Sequence, residues 1–172
     1  MNKIAVFGKP GSGKSTVSKA LAVATGIELY QLDSIVYQPN GEPVEREVFE
    51  KIHGEILQVE NWIVDGLGPI SLFYKRLEAA DTLVYIDLPY LVSYWFVTKR
   101  LLKSFFVKPE GWPEGCSVLK GSLESYRILK LCPKFWNAEF LARIQAMSSV
   151  KEVYVIKTVA QLNSFVASRL SK

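Results

Sequence analysis

The stretch Gly8-Lys9-Pro10-Gly11-Ser12-Gly13-Lys14-Ser15 spaces its glycines, lysine and hydroxyl as G-x-x-x-x-G-K-[ST]. Glycines let backbone N–H groups crowd around phosphate oxygens. A lysine at position 14 can reach β- and γ-phosphates, and the Ser15 hydroxyl can ligate Mg²⁺. An apolar run, Ile4-Ala5-Val6-Phe7, precedes the stretch, and a helical pattern, Val17, Ala20, Leu21, Ala24, follows it. A phosphate-binding P-loop needs that strand–loop–helix setting, in which the helix N-terminus adds partial positive charge. A plain glycine-rich turn is the alternative, and pattern and context together argue against it. A dinucleotide fingerprint beginning at Gly11 fails, because Thr16 stands where the third glycine belongs. Gly8, Gly11, Ser12, Gly13, Lys14, Ser15 and Thr16 therefore read as a binding loop for a nucleoside triphosphate such as ATP.

Carboxylates complete the chemistry. Asp65 ends the apolar run Trp62-Ile63-Val64 and precedes Gly66. An acid at that place can hold Mg²⁺ with Ser15, directly or through water; a turn or capping role is the alternative. Asp33 follows Leu32 at the expected end of a second strand. It can take the proton of an acceptor hydroxyl, serve as an outer Mg²⁺ ligand, or cap the next turn. Charge on a transferring phosphoryl group also needs cations. Lys99, Arg100 and Lys103 form one row at helical spacing, Arg127, Lys130 and Lys134 another, and Arg76 lies after Asp65. Most such residues are solvated; Arg100 and Arg127 are the catalytic candidates because a guanidinium grips phosphate bidentately. Asp87 is expected to cap the helix that begins at Pro89. His53, the sole histidine, reads as a partly exposed structural residue. Lys157-Thr158 can lie beside a nucleotide base or simply cap the last helix.

These side chains need a scaffold. Five runs read as strands: Lys3–Phe7, Glu28–Leu32, Trp62–Asp65, Thr82–Asp87 and Glu152–Lys157. Helices are expected from the loop to Gly26, over about 45–60, from Pro89 to about Phe106, over 119–131 and 134–147, and from Thr158 to about Leu170. Alternating strands and helices imply a parallel α/β sheet covered on both faces, with ligands at the carboxyl ends of its strands. Two segments rich in turn formers, 34–44 and 108–117, interrupt the alternation as ligand-gating loops or plain connections.

The 172 residues suffice for one domain with a sizeable core. Hydrophobic content of 49% and charged content of 22% are ordinary for a globular chain. A net charge of +4 suits an anionic ligand and is too mild to argue for direct nucleic-acid binding. Cys116 and Cys132 form no metal-binding pattern and fit a reducing compartment. The first strand starts at once, which leaves no room for a signal peptide. The longest apolar stretch, Leu88 to Val97, is about half the ~20 residues of a membrane span. The expectation is a cytoplasmic protein without a membrane partner.

In order along the chain stand Gly8–Thr16, Leu32-Asp33, Trp62-Ile63-Val64-Asp65-Gly66, Arg76-Leu77-Glu78-Ala79-Ala80-Asp81-Thr82, Asp87-Leu88-Pro89 and Glu114-Gly115-Cys116. Together they resemble the adenylate-kinase-like P-loop family of DNA topology modulation (FlaR-type) proteins. The resemblance implies a nucleoside-monophosphate-kinase fold whose five-stranded parallel sheet has the order 2-3-1-4-5. It implies an acceptor region at about 34–60, a lid at about 104–135, and Lys157-Thr158 in the loop that contacts adenine. Adenylate kinases carry an arginine shortly after the Asp-Gly pair, where this chain has Leu67-Gly68-Pro69-Ile70. Its acceptor region holds one arginine, Arg46. These departures look more like small-molecule kinases of the fold, such as shikimate or gluconate kinases. The expected activity is Mg²⁺-dependent transfer of the ATP γ-phosphate to a small acceptor. The alternative is an ATP-binding regulator acting indirectly on DNA topology, with little transfer.

Overall fold

The computed structural model describes residues 1–36, 42–106 and 117–170. Its strands are β1 (Lys3–Gly8), β2 (Leu29–Gln31), β3 (Trp62–Asp65), β4 (Thr82–Ile86) and β5 (Glu152–Ile156). All neighbours are parallel, in the order β2-β3-β1-β4-β5 that the resemblance implies. The helices are α1 (Lys14–Thr25), α2 (Leu32–Val36), α3 (Arg46–Gln58), α4 (Ile70–Ala79), α5 (Tyr90–Ser104), α6 (Val118–Leu131), α7 (Ala138–Ala146) and α8 (Val159–Leu170). Of the two turn-rich segments, 37–41 and 108–116 lie outside the described residues, as does Cys116.

Burial follows the period-2 alternation of a strand. On β1, Ala5 and Phe7 enter one apolar cluster, while Ile4 and Val6 enter the other. On β4, Leu83 and Tyr85 part from Val84 and Ile86 in the same way. The first face is aromatic. Phe7 stacks on Tyr85 at 5.4 Å, Tyr85 stacks on Trp136 at 5.4 Å, and Phe73 and Phe140 close edge-on around them. The second face packs against Val17 and Leu21 of α1 and Leu162 of α8. The sheet is thus covered on both sides, and its central strand delivers the glycine loop to the carboxyl edge.

Three expectations change. Leu32 and Asp33 belong to α2, so Asp33 lies in the first turn of a short helix and does not end a strand. The helix expected over 134–147 divides into a 3₁₀ turn, Cys132–Lys134, then α7, then a second 3₁₀ turn, Met147–Ser149; Asn137 restarts it by accepting a bond from the Phe140 N–H at 2.9 Å. α4 has no counterpart in the sequence reading, because its buried face carries Arg76 beside Leu72, Phe73 and Leu77.

Candidate active site

β1 ends in the loop and α1 begins at Lys14, so the N-terminal N–H groups of α1 open onto the space above the sheet. The backbone requires glycine here. Gly8 has φ 152°, and a Cβ there would collide with the Ile86 carbonyl oxygen on β4. Gly11 has φ 68°, and its Cβ would lie 2.5 Å from the Ser93 carbonyl oxygen and 2.8 Å from Val97 Cγ2. Gly13 also has positive φ. Within the loop, the Lys9 carbonyl accepts from the Ser12 N–H at 3.2 Å and from Lys14 Nζ at 2.9 Å. Ser12 is buried, and its hydroxyl has no hydrogen-bond partner among the described residues. Ser15 and Thr16 are exposed at the start of α1.

Asp65 is buried beneath this loop. Its Oδ2 accepts from Ser18 Oγ at 3.2 Å. Burial pushes its carboxyl upward, while Lys14 and the Ser15 and Ser18 hydroxyls pull it down. Oδ1 lacks a well-formed hydrogen bond among the described residues. A buried carboxylate whose Oδ1 lacks a well-formed hydrogen bond, beside the exposed Ser15 hydroxyl, is an all-oxygen set that suits Mg²⁺. No group of three or more His, Cys, Asp or Glu side chains among the described residues is arranged for a metal. An ion here would complete its shell with phosphate and water, as Mg²⁺ commonly does.

Asp33 and Arg100 face the same region. Burial lowers the Lys14 ammonium, and the nearby Asp65 and Asp33 carboxylates oppose that shift. Arg100 is shifted down by burial and supported by Asp33 and Tyr126. Its Nη2 donates to Ser125 Oγ of α6 at 3.0 Å. Asp33 itself is exposed. Lys14, Asp65, Asp33 and Arg100 therefore form one electrostatic group, drawn from α1, β3, α2 and α5.

Other expected residues lie outside this electrostatic group. Arg127 points to solvent, its side chain 79% exposed, and bonds Glu124 at 3.5 Å; no described contact joins it to the loop. The Lys157 and Thr158 N–H groups both donate to Gln161 Oε1, at 2.8 and 3.2 Å, while Thr158 Oγ1 accepts from the Gln161 N–H at 3.1 Å. That reciprocal arrangement is a capping box at the start of α8.

The structure also reassigns three polar residues. Arg76 is fully buried, not solvated; its Nη2 donates to the carbonyls of Gly66 at 2.6 Å and Leu67 at 3.0 Å. Burial lowers its guanidinium to about 10. His53 is buried against it, not partly exposed. Asp87 does not cap α5, whose N-cap is Pro89 without a side-chain cap; it pairs with Lys9. Lys9 and Asp87 stand 78 residues apart, so spacing carries no signal for the pair; the carboxylate at a strand end was the available hint.

No family model matches the chain. Curated relatives are shikimate kinases. That of Rhodococcus erythropolis is 29% identical over 99 residues, covering 50% of this chain and 59% of that protein. That of Mycobacterium avium is 31% identical over 100 residues, covering 50% and 56%. That of Parabacteroides distasonis is 28% identical over 115 residues, covering 59% and 64%. The chain thus spans less than two thirds of the length of these relatives. Among solved structures, shikimate kinase from Acinetobacter baumannii in complex with shikimate aligns with a TM-score of 0.56 at 16% identity, over 99% of this chain and 92% of that one. Shikimate kinase from Bacteroides thetaiotaomicron aligns at 0.55 and 15%, over 96% and 94%. The fold is that of P-loop kinases. The resemblance to DNA topology modulation proteins has no counterpart among the relatives named here.

Proposed function

We propose that the chain is an ATP-dependent kinase that phosphorylates a hydroxyl of a small metabolite. The convergence of Lys14, Asp65, Asp33 and Arg100 on one glycine loop carries this reading. Gly8–Thr16 hold the phosphates. Ser15 and Asp65 hold Mg²⁺, which when bound neutralises phosphate charge. Lys14 leaves the Lys9 carbonyl to meet the β- and γ-phosphates. The acceptor region, about 34–60, presents the hydroxyl beside Asp33. The hydroxyl oxygen forms the new bond to the γ-phosphorus as the bond to the ADP oxygen breaks, and its proton passes to the Asp33 carboxylate. Arg100 neutralises the developing charge. Lys157 and Thr158 border the base through the backbone of their capping turn. An exposed carboxylate beside the loop suits a neutral hydroxyl better than an already ionised phosphate.

The relatives being shikimate kinases, shikimate heads the acceptors to test, followed by gluconate and other sugar acids, nucleosides and nucleoside monophosphates. The assay follows transfer of the γ-phosphate, with Lys14→Ala as control. Tight ATP binding with no transfer to any acceptor would remove the kinase reading. It would leave an ATP-binding regulator, a reading favoured by the outward Arg127.

A further inference from the structure

The loop has a side-chain anchor that the motif does not require. Lys9 is the second residue of the glycine loop, yet it is only 1% exposed. Its ammonium pairs with Asp87 Oδ1, just beyond β4. It also lies 4.7 Å from the centre of the Tyr90 ring, a cation–π distance. Asp87 has two further neighbours. Its N–H donates to the Ile156 carbonyl of β5 at 2.8 Å, and the Tyr85 hydroxyl lies close to its carboxylate. The opposite end of Lys9 is the carbonyl that receives both the Ser12 N–H and Lys14 Nζ. Lys9 thus ties the carbonyl on which the phosphate-reaching lysine rests to the carboxyl ends of β4 and β5.

We infer that Lys9 and Asp87 are positioning residues for nucleotide binding: their ion pair, in which Lys9 is buried and Asp87 a quarter exposed, fixes the loop carbonyl from which Lys14 is released to the phosphates. The inference rests on the loop being a triphosphate site. Burying the Lys9 ammonium costs desolvation that its pairing with the partly exposed Asp87 must offset, so the pair is a poor stabiliser relative to neutral residues of similar shape, whereas loss of Asp87 leaves an uncompensated buried charge. Stability alone therefore does not account for a lysine here, and a neutral pair can keep the fold while releasing the anchor.

The test measures the dissociation constant for ATP by calorimetry, alongside the melting temperature without ligand. Absence of ATP binding by the wild-type protein would sink the triphosphate reading itself, independently of the anchor. With that binding in hand, the Lys9→Met/Asp87→Asn double variant is expected to melt within a few degrees of wild type and to bind ATP about tenfold more weakly. The single variants are expected to lose both stability and affinity. Asp87→Glu keeps the charge and moves the anchor by one methylene; it is expected to weaken ATP binding at least threefold at an unchanged melting temperature. Unaltered ATP affinity in a folded double variant, or in Asp87→Glu, overturns the proposal.

Discussion

Nε2 of His53 faces Nη1 of Arg76 at 3.3 Å, with both side chains buried. Because the guanidinium carries only donors, Nε2 is the acceptor, and the imidazole is neutral with its proton on Nδ1. The same guanidinium donates to Gly66 and Leu67, directly after Asp65. One arginine on α4 thus ties α3 to the turn that follows a candidate magnesium ligand.

Arg76→Met should remove the donors for two carbonyls and for His53 while filling similar space. Each buried group left without a partner costs ~1–3 kcal/mol. A loss of about 3 kcal/mol in denaturant unfolding is expected, with an unchanged slope. A loss below about 0.5 kcal/mol, the level of an ordinary surface change, would show that the bonds are not formed in solution.

Burial, together with the positive charges of Arg76 and Lys75, lowers His53 from 6.5 to about 4. The unfolded chain therefore binds the extra proton first as pH falls. The contribution to stability is complete above about pH 6.5, is lost as pH drops toward 4, and levels off below that. Its full size is on the order of 3 kcal/mol. Carboxylates titrate in part of the same window, so the comparison is with His53→Gln, whose amide oxygen can accept from Arg76. The wild-type stability curve should fall more steeply than the variant's between pH 6.5 and 4. Parallel curves would mean that His53 does not titrate on unfolding.

Local pattern explains which parts of this arrangement could be read beforehand. Ile4–Phe7 and Leu83–Ile86 are apolar on both faces, which only a covered parallel sheet requires, so strand positions and fold class were legible. Lys14 and Ser15 follow from motif spacing, and Asp65 from its place at the end of the apolar run Trp62-Ile63-Val64. Arg76 and His53 did not, because polarity was read as exposure; their burial depends on each other across 23 residues and on the Gly66 and Leu67 carbonyls. α4 was missed for the same reason. Leu32 looked like the end of a strand, yet β2 is three residues long and Leu32 instead buries its side chain from the first position of α2. Lys9 carries no signal in the sequence, since the motif says nothing of the side chain at its position.

Asp65→Asn should separate magnesium binding from the fold. The amide keeps the shape and can still accept from Ser18, but it removes the charge facing Lys14. A change in melting temperature of only a few degrees is expected. The magnesium concentration for half-maximal transfer should rise at least about tenfold, and saturated turnover should fall by about 100-fold, the scale of losing one electrostatic contact to the transition state. An unaltered magnesium requirement would assign Asp65 to structure alone.

Asp33→Asn tests the remaining carboxylate, and the partition between binding and turnover decides its role. Asp33 is exposed, so its replacement should cost little stability. It lies near Lys14 and Arg100 without belonging to the glycine loop, so ATP affinity should stay within about threefold of wild type. If the carboxylate takes the acceptor proton, turnover should fall by about 10²–10⁴-fold, the usual contribution of a positioned base. The asparagine can still orient a hydroxyl, so KM for the acceptor should change far less than turnover. A rise in acceptor KM at constant turnover would instead make Asp33 a binding group, and a fall in ATP affinity matching the fall in turnover would place it with the phosphate site.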